Sequence, residues 1–374
     1  MDGILTHTEI EALSRSGGIG SRPELQSDQV QPTSLDLRLG SFAHRIRAGF
    51  LPGQAKVAER LRDLVLYDVD LEGGFVLEPG QIFLVPLVER LALPEGVRAR
   101  CNPKSSTGRL DIFTRVIADR HARFDDIPDG YQGPLYLEVM PRSFPVRIRA
   151  GERLNQVRFL TGAPGLSDQD HLLEHQTHRV LILPDGHPPR ADEVVVDGGF
   201  YLRISLRSDR PDGIVGYKAR RFTDVIDLSA VAGHDPLAFF EPLPEAGGQY
   251  LLEPEEFYIF ASRERIRVPP HLAAEMTAYD VGVGELRTNY AGFFDAGFGH
   301  GERGELEGTR AVLEIRPHDV PFLIEDGQVL FKLEFSRTTR PCTRLYGGAG
   351  TASSYAHQGL SLAKQFKERT PGRP

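Results

Sequence analysis

The chain has 374 residues, 40% of them hydrophobic, and its formal net charge of −8 at pH 7 argues against a nucleic-acid surface or a polybasic membrane patch. Its length suggests about two domains, while two distant cysteines, Cys101 and Cys342, exclude a disulfide framework and a Cys-x-x-Cys metal site. Because neither a signal peptide nor an apolar run near the ~18 residues of a membrane span is visible, we expect a cytoplasmic protein.

The sequence predicts one helix near its start and then a long series of short strands. Thr6 and Glu9 form a capping-box pattern ahead of an apolar-periodic stretch, which Gly17 and Gly18 close. After Pro23 the pattern changes to the alternation of strands, separated by Gly and Pro turns. Strands are predicted at 33–40, 64–71, 81–85, 97–101, 135–140, 146–148 and 156–160. This pattern indicates a mainly β protein, built as a sandwich or barrel.

Several short motifs recur at one nearly constant spacing. Leu-Glu-Pro at 77–79 returns at 252–254, and Leu-Glu-Val at 137–139 returns as Leu-Glu-Ile at 313–315, in each case about 175 residues later. Matches at one spacing over so long a span favour two homologous β-rich halves. The predicted domains are 1–182 and 198–374, with a linker near 183–197 that is rich in Pro, Gly and charge.

The stretch from 101 to 142 gathers most of the residues suited to chemistry. Two adjacent serines lie between two cations, and a tight turn carries a carboxylate and an aromatic ring. These residues are Lys104, Ser105, Ser106, Arg109, Asp129 and Tyr131. A strand follows, in which alternation turns Glu138 away from Leu137 and Val139. A carboxylate in a β-rich core is costly unless it is paired or used, and nearby hydroxyls and cations could pair it or hold a phosphorylated substrate.

These motifs, in this order, resemble the dCTP deaminase branch of the dUTPase superfamily. The resemblance rests on Pro-Thr-Ser-Leu-Asp-Leu-Arg-Leu-Gly at 32–40, Pro-Gly-Gln at 79–81, Ser-Ser-x-x-Arg at 105–109, Gly-Tyr-x-Gly at 130–133, Leu-Glu at 137–138 and Gly-Glu-Arg at 151–153. It runs over residues 1–160 and returns, degraded, in the second half. It implies two dUTPase-like distorted β-barrels in tandem with short helices, trimer-based homo-oligomers, and active sites built where two barrels meet.

The resemblance also implies hydrolysis of dCTP to dUTP and ammonia, supplying dUTP for thymidylate synthesis, with Mg²⁺ accompanying the triphosphate and no zinc. One carboxylate within reach of the attacking water and of the ring N3 can shuttle the protons, and Glu138 matches that residue. Ser105 and Arg109 would position the water and stabilise charge at C4 of the base. Nucleotide contacts are implied for Lys104, Ser106, Asp129 and Tyr131.

The second half departs from the family pattern in a complementary way. In place of the serine pair it has Tyr-Asp-Val-Gly-Val-Gly at 279–284, yet it keeps Glu314 and a family-like turn at 289–299. One hypothesis is therefore a composite site, in which Ser105, Ser106 and Arg109 face Asp295 and Glu314. The alternative is a complete site in the first half with Glu138, the second half being a structural remnant. The first half's own turn departs too, because Pro precedes Asp129 where the family has Asp before Pro.

Two further nucleotide contacts are predicted in the second half. Phe298 lies in the family-like turn, and Tyr346 begins a string rich in Gly and hydroxyl groups at 346–355. This string resembles the mobile C-terminal segment that closes over the nucleotide in the family, where Gly-rich backbone can contact phosphates through N–H groups. An unstructured tail is the alternative.

Functions other than deamination differ in the motifs that they require. A zinc-dependent deaminase needs His-x-Glu and Pro-Cys-x-x-Cys motifs, which are absent from the sequence. A dUTPase, or a bifunctional dCTP deaminase and dUTP diphosphatase using Asp129 or Asp295 to activate water at the α-phosphate, stays open. So does a non-catalytic deoxynucleotide-binding regulator. The expected small-molecule partners are dCTP and dUTP, with dTTP as a candidate inhibitor, and neither nucleic acid nor a membrane is expected.

Overall fold

The computed structural model describes residues 2–190, 193–278, 286–288, 292–348, 351, 355 and 358–368, with backbone alone at 278 and 286–288. The sequence features at 279–284 and 289–291, and positions 349–350 and 352–354 of the Gly-rich string, lie outside the described residues. No helix among the described residues is long and apolar enough to cross a membrane.

Helices are few and short. They are α1 (His7–Arg15), α2 (Val57–Leu61), α3 (Ser105–Gly108), α4 (Asp168–His178) and α5 (Pro236–Phe239). The predicted first helix is confirmed: Glu9 accepts a hydrogen bond from the backbone N–H of Thr6 at 2.9 Å, so the capping box forms, and Gly17 follows the helix with φ 83°. Ile10 and Leu13 are the apolar residues that this helix buries.

Strands make up most of the regular structure. Those of the first half and the connection are β1 (Gly3–Ile4), β2 (Ile19–Gly20), β3 (Leu35–Leu37), β4 (Phe42–Ile46), β5 (Val65–Asp70), β6 (Phe75–Leu77), β7 (Ile82–Ala92), β8 (Val97–Pro103), β9 (Ile112–Ala118), β10 (Asp126–Ile127), β11 (Gln132–Pro141), β12 (Val146–Ile148), β13 (Asn155–Thr161) and β14 (Leu181–Ile182). Those that follow are β15 (Phe200–Ser205), β16 (Ile214–Ala219), β17 (Ile226–Asp227), β18 (Phe240–Pro244), β19 (Gln249–Leu252), β20 (Tyr258–Ile266), β21 (Leu272–Ala278), β22 (Leu286–Thr288), β23 (Phe293–Phe294), β24 (Thr309–Pro317), β25 (Phe322–Glu325) and β26 (Val329–Arg337). The predicted mainly β architecture with short helices is confirmed.

Each half contains curled antiparallel sheets around an apolar core. In the first half, one sheet runs β5-β4-β7-β11-β9, and a second runs β1-β13-β8-β10 with β3 also paired to β13. In the second half, the largest sheet runs β18-β16-β20-β15-β26-β21-β23, and β24 pairs with β20. Alternating apolar residues of these strands are buried, as a strand with one face toward the core requires.

The two halves share hydrogen bonds and core. Strand β12 of the first half pairs in parallel with β17 of the second, and β14 pairs with β20. Phe144 of the first half packs edge-to-face against Phe240 of the second, with ring centroids 5.2 Å apart. The apolar cluster around it includes buried residues from both halves. Because the halves pack directly against each other, a cavity between them has walls of fixed geometry.

Glu138 and Glu314 occupy matching places in the two halves. Glu138 lies opposite Leu84 where β11 pairs with β7, and Glu314 lies opposite Ile259 where β24 pairs with β20. Leu84 and Ile259 lie 175 residues apart in the chain, close to the 176 residues between the two glutamates. This shared register is what two copies of one barrel would produce, and it supports the predicted repeat.

Candidate active site

A cavity of about 400 Å³ lies between the halves. The first half contributes α3 and the segment 151–156, and the second half contributes Asp295, Phe298 and Glu314. Tyr346 completes the wall together with the C-terminal segment, whose described residues are 355 and 358–368. Of the predicted site residues, the structure therefore brings together Lys104, Ser105, Ser106, Arg109, Asp295, Phe298, Glu314 and Tyr346.

The one-turn helix α3 presents the serine pair to the cavity. It begins where β8 ends, with Lys104 in extended conformation at the N-cap. Thr107, on its buried side, donates its hydroxyl to the carbonyl of Leu154 at 2.7 Å, which fixes the turn against the next segment of the cavity wall. Ser105 and Ser106 stay partly exposed on the cavity side. This arrangement fixes two hydroxyl groups on a rigid turn.

Glu314 approaches the same turn from the second half. It lies on β24, is 2% exposed, and its carboxylate contacts the backbone of α3 at Gly108. A Cβ atom on Gly108 would fall 2.6 Å from Oε1 and from Cδ of Glu314, closer than any ordinary contact. Glycine at 108 is therefore what allows a carboxylate of the second half to approach the Ser-Ser-x-x-Arg turn of the first.

Asp295 is held by three donors of the first half. Ser34 donates its hydroxyl to Oδ2 at 3.1 Å, and Thr33 donates a short hydrogen bond to Oδ1. Arg158 donates to Oδ1 at 3.3 Å, while its guanidinium lies over the ring of Phe293, 4.0 Å from the centroid. With both oxygens occupied, this carboxylate is suited to fixing the cavity wall.

Aromatic rings line the cavity beside Asp295. Phe298 is 4% exposed and packs against Phe294 at 4.9 Å and against Tyr346 at 5.5 Å between ring centroids. Gly297, with φ 96°, lets the chain turn here, because a Cβ at that position would lie 2.6 Å from the backbone N of Tyr346. The rings form an apolar wall suited to a sugar or a base.

Cations and a buried carboxylate occupy another part of the wall. Lys104 forms a short ion pair with Asp36, whose side chain is 1% exposed, and Arg153 lies 3.8 Å from the same carboxylate. Lys364 of the C-terminal segment also lines this region. Oδ1 of Asp36 is buried without a hydrogen-bond partner in the described protein. Arg153 also pairs with Asp28 at 2.9 Å, so three cations and two aspartates meet here, and the cations can donate hydrogen bonds to an anionic ligand.

Glu152 is a second carboxylate of the cavity wall. Its Oε2 accepts a hydrogen bond from the backbone N–H of Arg149 at 2.9 Å, and its Oε1 is buried without a protein hydrogen-bond partner. Burial raises the pKa of Glu152 to about 7, above its ordinary value of 4.5. The group therefore changes its charge near neutral pH, inside the cavity.

Arg109 is buried, and both of its Nη atoms donate hydrogen bonds to the C-terminal segment. Its Nη1 donates to the hydroxyl of Ser361 at 2.9 Å, and its Nη2 donates to Oε1 of Gln358 at 2.6 Å. The ring of Tyr355 stacks on the guanidinium, 3.9 Å away, and the Tyr355 hydroxyl is 2.8 Å from Oγ of Ser106. The segment thus contacts two residues of the Ser-Ser-x-x-Arg motif at once.

The C-terminal segment is anchored at the seam between the halves. Phe366 packs against Phe239 and Phe240, with ring centroids 5.5 and 5.4 Å apart. Gln365 donates to the carbonyl of Leu228 at 3.0 Å, and the hydroxyl of Tyr355 accepts from the N–H of Lys364 at 3.0 Å. Tyr355, the last residue of the Gly-rich string, and the segment 358–366 are therefore held against the cavity.

Glu138 lies away from this cavity. Oε1 of Glu138, whose residue is 1% exposed, accepts hydrogen bonds from Nε and Nη2 of Arg115 at 3.0 and 2.5 Å. Arg115 in turn lies over the ring of Phe124 at 3.6 Å. The other oxygen, Oε2, faces Gly49, where an added Cβ would lie 2.5 Å away. The structure thus places Glu138 in an ion pair covered by its own half.

Asp129 and Tyr131 also lie outside the cavity. Asp129 is exposed and accepts a hydrogen bond from the backbone N–H of Gly96 at 2.8 Å, which ties two turns together. Tyr131 is buried, donates its hydroxyl to the carbonyl of Pro134 at 2.6 Å, and accepts from the N–H of Asp119 at 3.0 Å. Burial raises the pKa of Tyr131 to about 12. Both side chains stabilise the first-half turn, and neither lines the cavity between the halves.

Sequence reasoning missed several cavity residues. Glu152 and Arg153 belong to the Gly-Glu-Arg motif that carried the family resemblance, so a signal for them was present. Tyr355 ends the predicted lid string but was not assigned a contact. Nothing local marks Gln358, Ser361 and Lys364, because their contacts with the cavity depend on how the chain folds back over the seam.

Comparison with known proteins agrees with this geometry. Residues 1–163 match the family model described as the 2′-deoxycytidine 5′-triphosphate deaminase N-terminal domain, and residues 168–366 match the C-terminal domain of the same description. A dUMP-forming dCTP deaminase of Leifsonia xyli subsp. xyli is 30% identical over 158 residues, covering 42% of this chain and 75% of the relative. A dCTP deaminase of Haloarcula marismortui is 32% identical over 160 residues, covering 42% of this chain and 79% of the relative.

A solved structure resembles nearly the whole chain. The crystal structure of 2′-deoxycytidine 5′-triphosphate deaminase from Agrobacterium tumefaciens is 46% identical in sequence and superposes with a TM-score of 0.84. The match covers 91% of this chain and 96% of that one. The predicted dUTPase-like fold is thereby confirmed over both halves.

Proposed function

The chain belongs to the dCTP deaminase family, and we propose that it hydrolyses dCTP to dUTP and ammonia in the cavity between its halves. The observation that carries this assignment is the approach of the Glu314 carboxylate to Gly108 of α3. It sets a proton-transfer group beside the Ser-Ser-x-x-Arg turn without the help of another chain. The alternative carboxylate, Glu138, lies outside this cavity, where it forms an ion pair with Arg115.

The reaction needs one group that moves protons and others that hold charge. Attack of water at C4 of the base requires loss of a proton from the water and protonation of N3, and then of the leaving amine. A single carboxylate within hydrogen-bond reach of these atoms can serve all three transfers. Glu314 takes this role, while Ser105 and Arg109 orient the water and stabilise charge that develops at C4. The proton balance closes because the water supplies two protons: one stays on N3 of the uracil product, and the other converts the leaving amino group into ammonia.

The nucleotide lies with its ends in chemically different parts of the cavity. The triphosphate, entering as its Mg²⁺ complex, meets Lys104, Arg153 and Lys364, whose charges surround Asp36. The deoxyribose packs against the aromatic wall that contains Phe298 and Tyr346. Asp295 supports this wall by its hydrogen bonds to the first half. Ser106 and Tyr355 are linked by a hydrogen bond at the edge of the phosphate region.

The C-terminal segment positions Arg109. Since Gln358, Ser361 and the ring of Tyr355 contact the guanidinium together, ordering of this segment fixes the direction in which Arg109 can donate. Nε of Arg109 is buried without a protein partner. Closure of the segment therefore couples nucleotide binding to the geometry of the reaction centre.

Formation of dUMP is the second candidate outcome, since several relatives are named dUMP-forming dCTP deaminases. Further hydrolysis needs a carboxylate that can activate a water at the α-phosphate. Both oxygens of Asp295 accept hydrogen bonds from first-half donors, which makes it a poor base, and Asp129 lies outside the cavity. These positions favour dUTP as the released product.

Product analysis tests the assignment. Purified protein is incubated with dCTP and Mg²⁺, and the products are separated by anion-exchange chromatography with ammonia measured in parallel. We expect dUTP and ammonia in equal amounts. Formation of dUMP with pyrophosphate would replace the dUTP assignment by the bifunctional one. Survival of dCTP, with dCTP or dTTP still bound, would instead support a deoxynucleotide-binding regulator.

Oligomeric assembly and inhibition by dTTP are two further parts of the proposal. All the groups assigned here belong to one chain, so specific activity is expected to stay constant when the enzyme is diluted below the concentration at which its oligomers dissociate. A trimer-based homo-oligomer is proposed from the family alone and is measured by light scattering. dTTP shares the deoxyribose and triphosphate of dCTP, and we expect it to compete with the substrate for this cavity.

A further inference from the structure

Three potential metal ligands meet outside the set of residues that line the candidate active site. Glu174 and His178 lie one turn apart at the end of α4, and His271 immediately precedes β21. Oε2 of Glu174 is 3.0 Å from Nε2 of His271 and 3.6 Å from Nε2 of His178. One ligand atom from each residue can be chosen so that all three lie within 4.8 Å of one another. Two imidazoles therefore converge on one carboxylate oxygen.

The spacing fits a tetrahedral ion. Ligand atoms about 2.0–2.1 Å from Zn²⁺ lie about 3.3 Å from one another at tetrahedral angles. The two measured separations, 3.0 and 3.6 Å, lie on either side of that value. The three side chains are 17%, 41% and 33% exposed for Glu174, His178 and His271 respectively. An ion can reach them, and water can fill a fourth position.

The backbone around the cluster is fixed by contacts independent of an ion. The carbonyl of His178 accepts a hydrogen bond from Nη1 of Arg267 at 3.1 Å. The carbonyl of His271 accepts from the N–H of Thr338 at 3.0 Å. Glu174 and His178 share one face of a helix, as residues four apart do. The ligands thus come from two rigid elements, which reduces the ordering that binding requires.

A hydrogen bond alone leaves part of this arrangement unexplained. His271 is close enough to Glu174 for a hydrogen bond, but the 3.6 Å from His178 is too long for one. The rings of the two histidines are 4.9 Å apart between centroids, so protonating both would bring two positive charges together beside one carboxylate. A divalent ion accepts two neutral imidazoles and the carboxylate at once.

We propose that Glu174, His178 and His271 bind one divalent transition-metal ion, with Zn²⁺ as the fitting ion, and that it joins the connector helix α4 to β21. The site is structural, since none of its three residues lines the cavity, and it acts on the cavity wall only through the pairing of β21 with β23, which carries Phe293 and Phe294. The expectation of no zinc concerned the chemistry of deamination and Cys-based motifs. The site proposed here contains no cysteine and takes no part in deamination, so it does not depend on the proposed activity.

Zinc titration of the full chain tests the proposal. Protein is treated with EDTA, exchanged into metal-free buffer at pH 7.5, and titrated with Zn²⁺ by calorimetry, while the change in Tm on adding Zn²⁺ is recorded. We expect one Zn²⁺ per chain and a Tm that rises with Zn²⁺. His178→Ala and His271→Ala are each expected to weaken binding by at least about 100-fold, because each removes one of three protein ligands. Co²⁺ should give the absorption of a tetrahedral complex only when all three residues are present.

His44→Ala is the matched control. His44 forms a pair with Asp68 at 2.6 Å on another sheet, so this variant removes an imidazole beside a carboxylate without touching the cluster. Its Zn²⁺ affinity should equal that of the unmodified protein. The proposal is overturned if the unmodified protein binds less than one Zn²⁺ per chain, or if His178→Ala/His271→Ala binds as tightly as the control. The quantity compared between variants is the rise in Tm that Zn²⁺ causes. A variant with a lower starting Tm can therefore still show whether it binds Zn²⁺.

Discussion

Glu138 and Glu314 stand at the same place in the two barrels, yet their surroundings differ. Glu138 is paired with Arg115 and covered by Gly49 of its own half. Glu314 reaches across to the Ser-Ser-x-x-Arg turn of the other half and lines a cavity with Ser105 and Arg109. The comparison teaches that a strand position fixes where a carboxylate points, whereas its neighbours decide whether it can take part in chemistry.

The largest effect expected on the Glu138 side is a loss of stability. Arg115→Ala leaves Glu138 buried without its ionic partner, which we expect to cost about 3 kcal/mol after allowing for the partial exposure of Arg115. Activity of the folded fraction should be nearly unchanged. Thermal unfolding and ammonia release measure the two effects.

Two further variants sharpen this prediction. Adding Glu138→Gln to Arg115→Ala should restore part of the lost stability, because the unpaired charge is then gone. Arg207→Ala breaks an exposed ion pair with Glu245 and should leave stability nearly unchanged, because water screens such a pair. A large loss of activity in Arg115→Ala at full folding would contradict the separation of the two glutamates.

Gly108→Ala should act on the Glu314 side alone. The added methyl group would lie 2.6 Å from Oε1 of Glu314, so the carboxylate or the turn must shift. A displacement of about 1 Å at a reaction centre can cost about 100-fold in rate, and we expect a loss of that size in kcat. Gly49→Ala is the mirror control: it crowds Glu138 in the same way and should lower Tm while kcat is retained. Equal losses of kcat in both variants would contradict this account.

Changes in the C-terminal segment should have an intermediate effect. Gln358→Ala removes the acceptor for Nη2 of Arg109, and a hydrogen bond to a charged group contributes about 1.5–3 kcal/mol. We expect kcat/KM to fall about tenfold or more, with little change in Tm. Lys367→Ala, an exposed position of the same segment, should leave kcat/KM unchanged. A Gln358→Ala enzyme with normal kcat/KM would mean that the segment covers the cavity without positioning Arg109.

The smallest effect concerns pH. The pKa of Glu152 is raised to about 7 by burial, so the group gains negative charge as pH rises through 7. Repulsion from the triphosphate should then weaken the binding free energy of dCTP by about 1 kcal/mol at most. We therefore expect KM for dCTP to rise several-fold between pH 6 and pH 8. Glu152→Gln should lack this part of the pH dependence, while ionisation of dCTP itself affects both enzymes equally. An identical KM profile for the two proteins would rule out the effect.

The same group has a defined effect on folding. Because the folded pKa of Glu152 lies above the ordinary value of 4.5, the folded state holds the proton more tightly than the unfolded state does. Its contribution to stability therefore falls as pH rises from about 4.5 to about 7 and is constant above that range. Glu152→Gln should flatten this part of the stability profile.

Much of the fold followed from local patterns. The capping box at Thr6 placed α1 correctly, and the predicted strands overlap β3, β5, β8, β11, β12 and β13, although β3 spans only Leu35–Leu37 of the predicted 33–40. Strand β7 extends to Ala92, well past the predicted end at 85. Helix α4 was not predicted, although Ser167 and Asp170 form a capping box there. The predicted domain limits, 1–182 and 198–374, stay a prediction.

The site was harder to predict than the fold. The sequence left the composite site and the Glu138 site open, since Leu-Glu with an apolar residue after it is the same motif in both halves. The difference lies in residues far along the chain: Arg115 on the neighbouring strand, Gly49 in a loop, and Gly108 beside Glu314. Such contacts are set by tertiary packing and leave no local pattern. The roles of Asp129 and Tyr131 were inferred from family order, and the structure places both side chains away from the cavity.

The most direct test compares Glu314→Gln with Glu138→Gln in ammonia release from dCTP under saturating substrate, with Tm and dCTP binding measured on the same samples. Glutamine keeps the size of the side chain but cannot shuttle protons. We predict that Glu314→Gln loses at least about 100-fold in kcat while still binding dCTP, and that Glu138→Gln keeps kcat within a few-fold. Full activity in Glu314→Gln, together with loss of activity in Glu138→Gln, would contradict the composite site and assign catalysis to the first half.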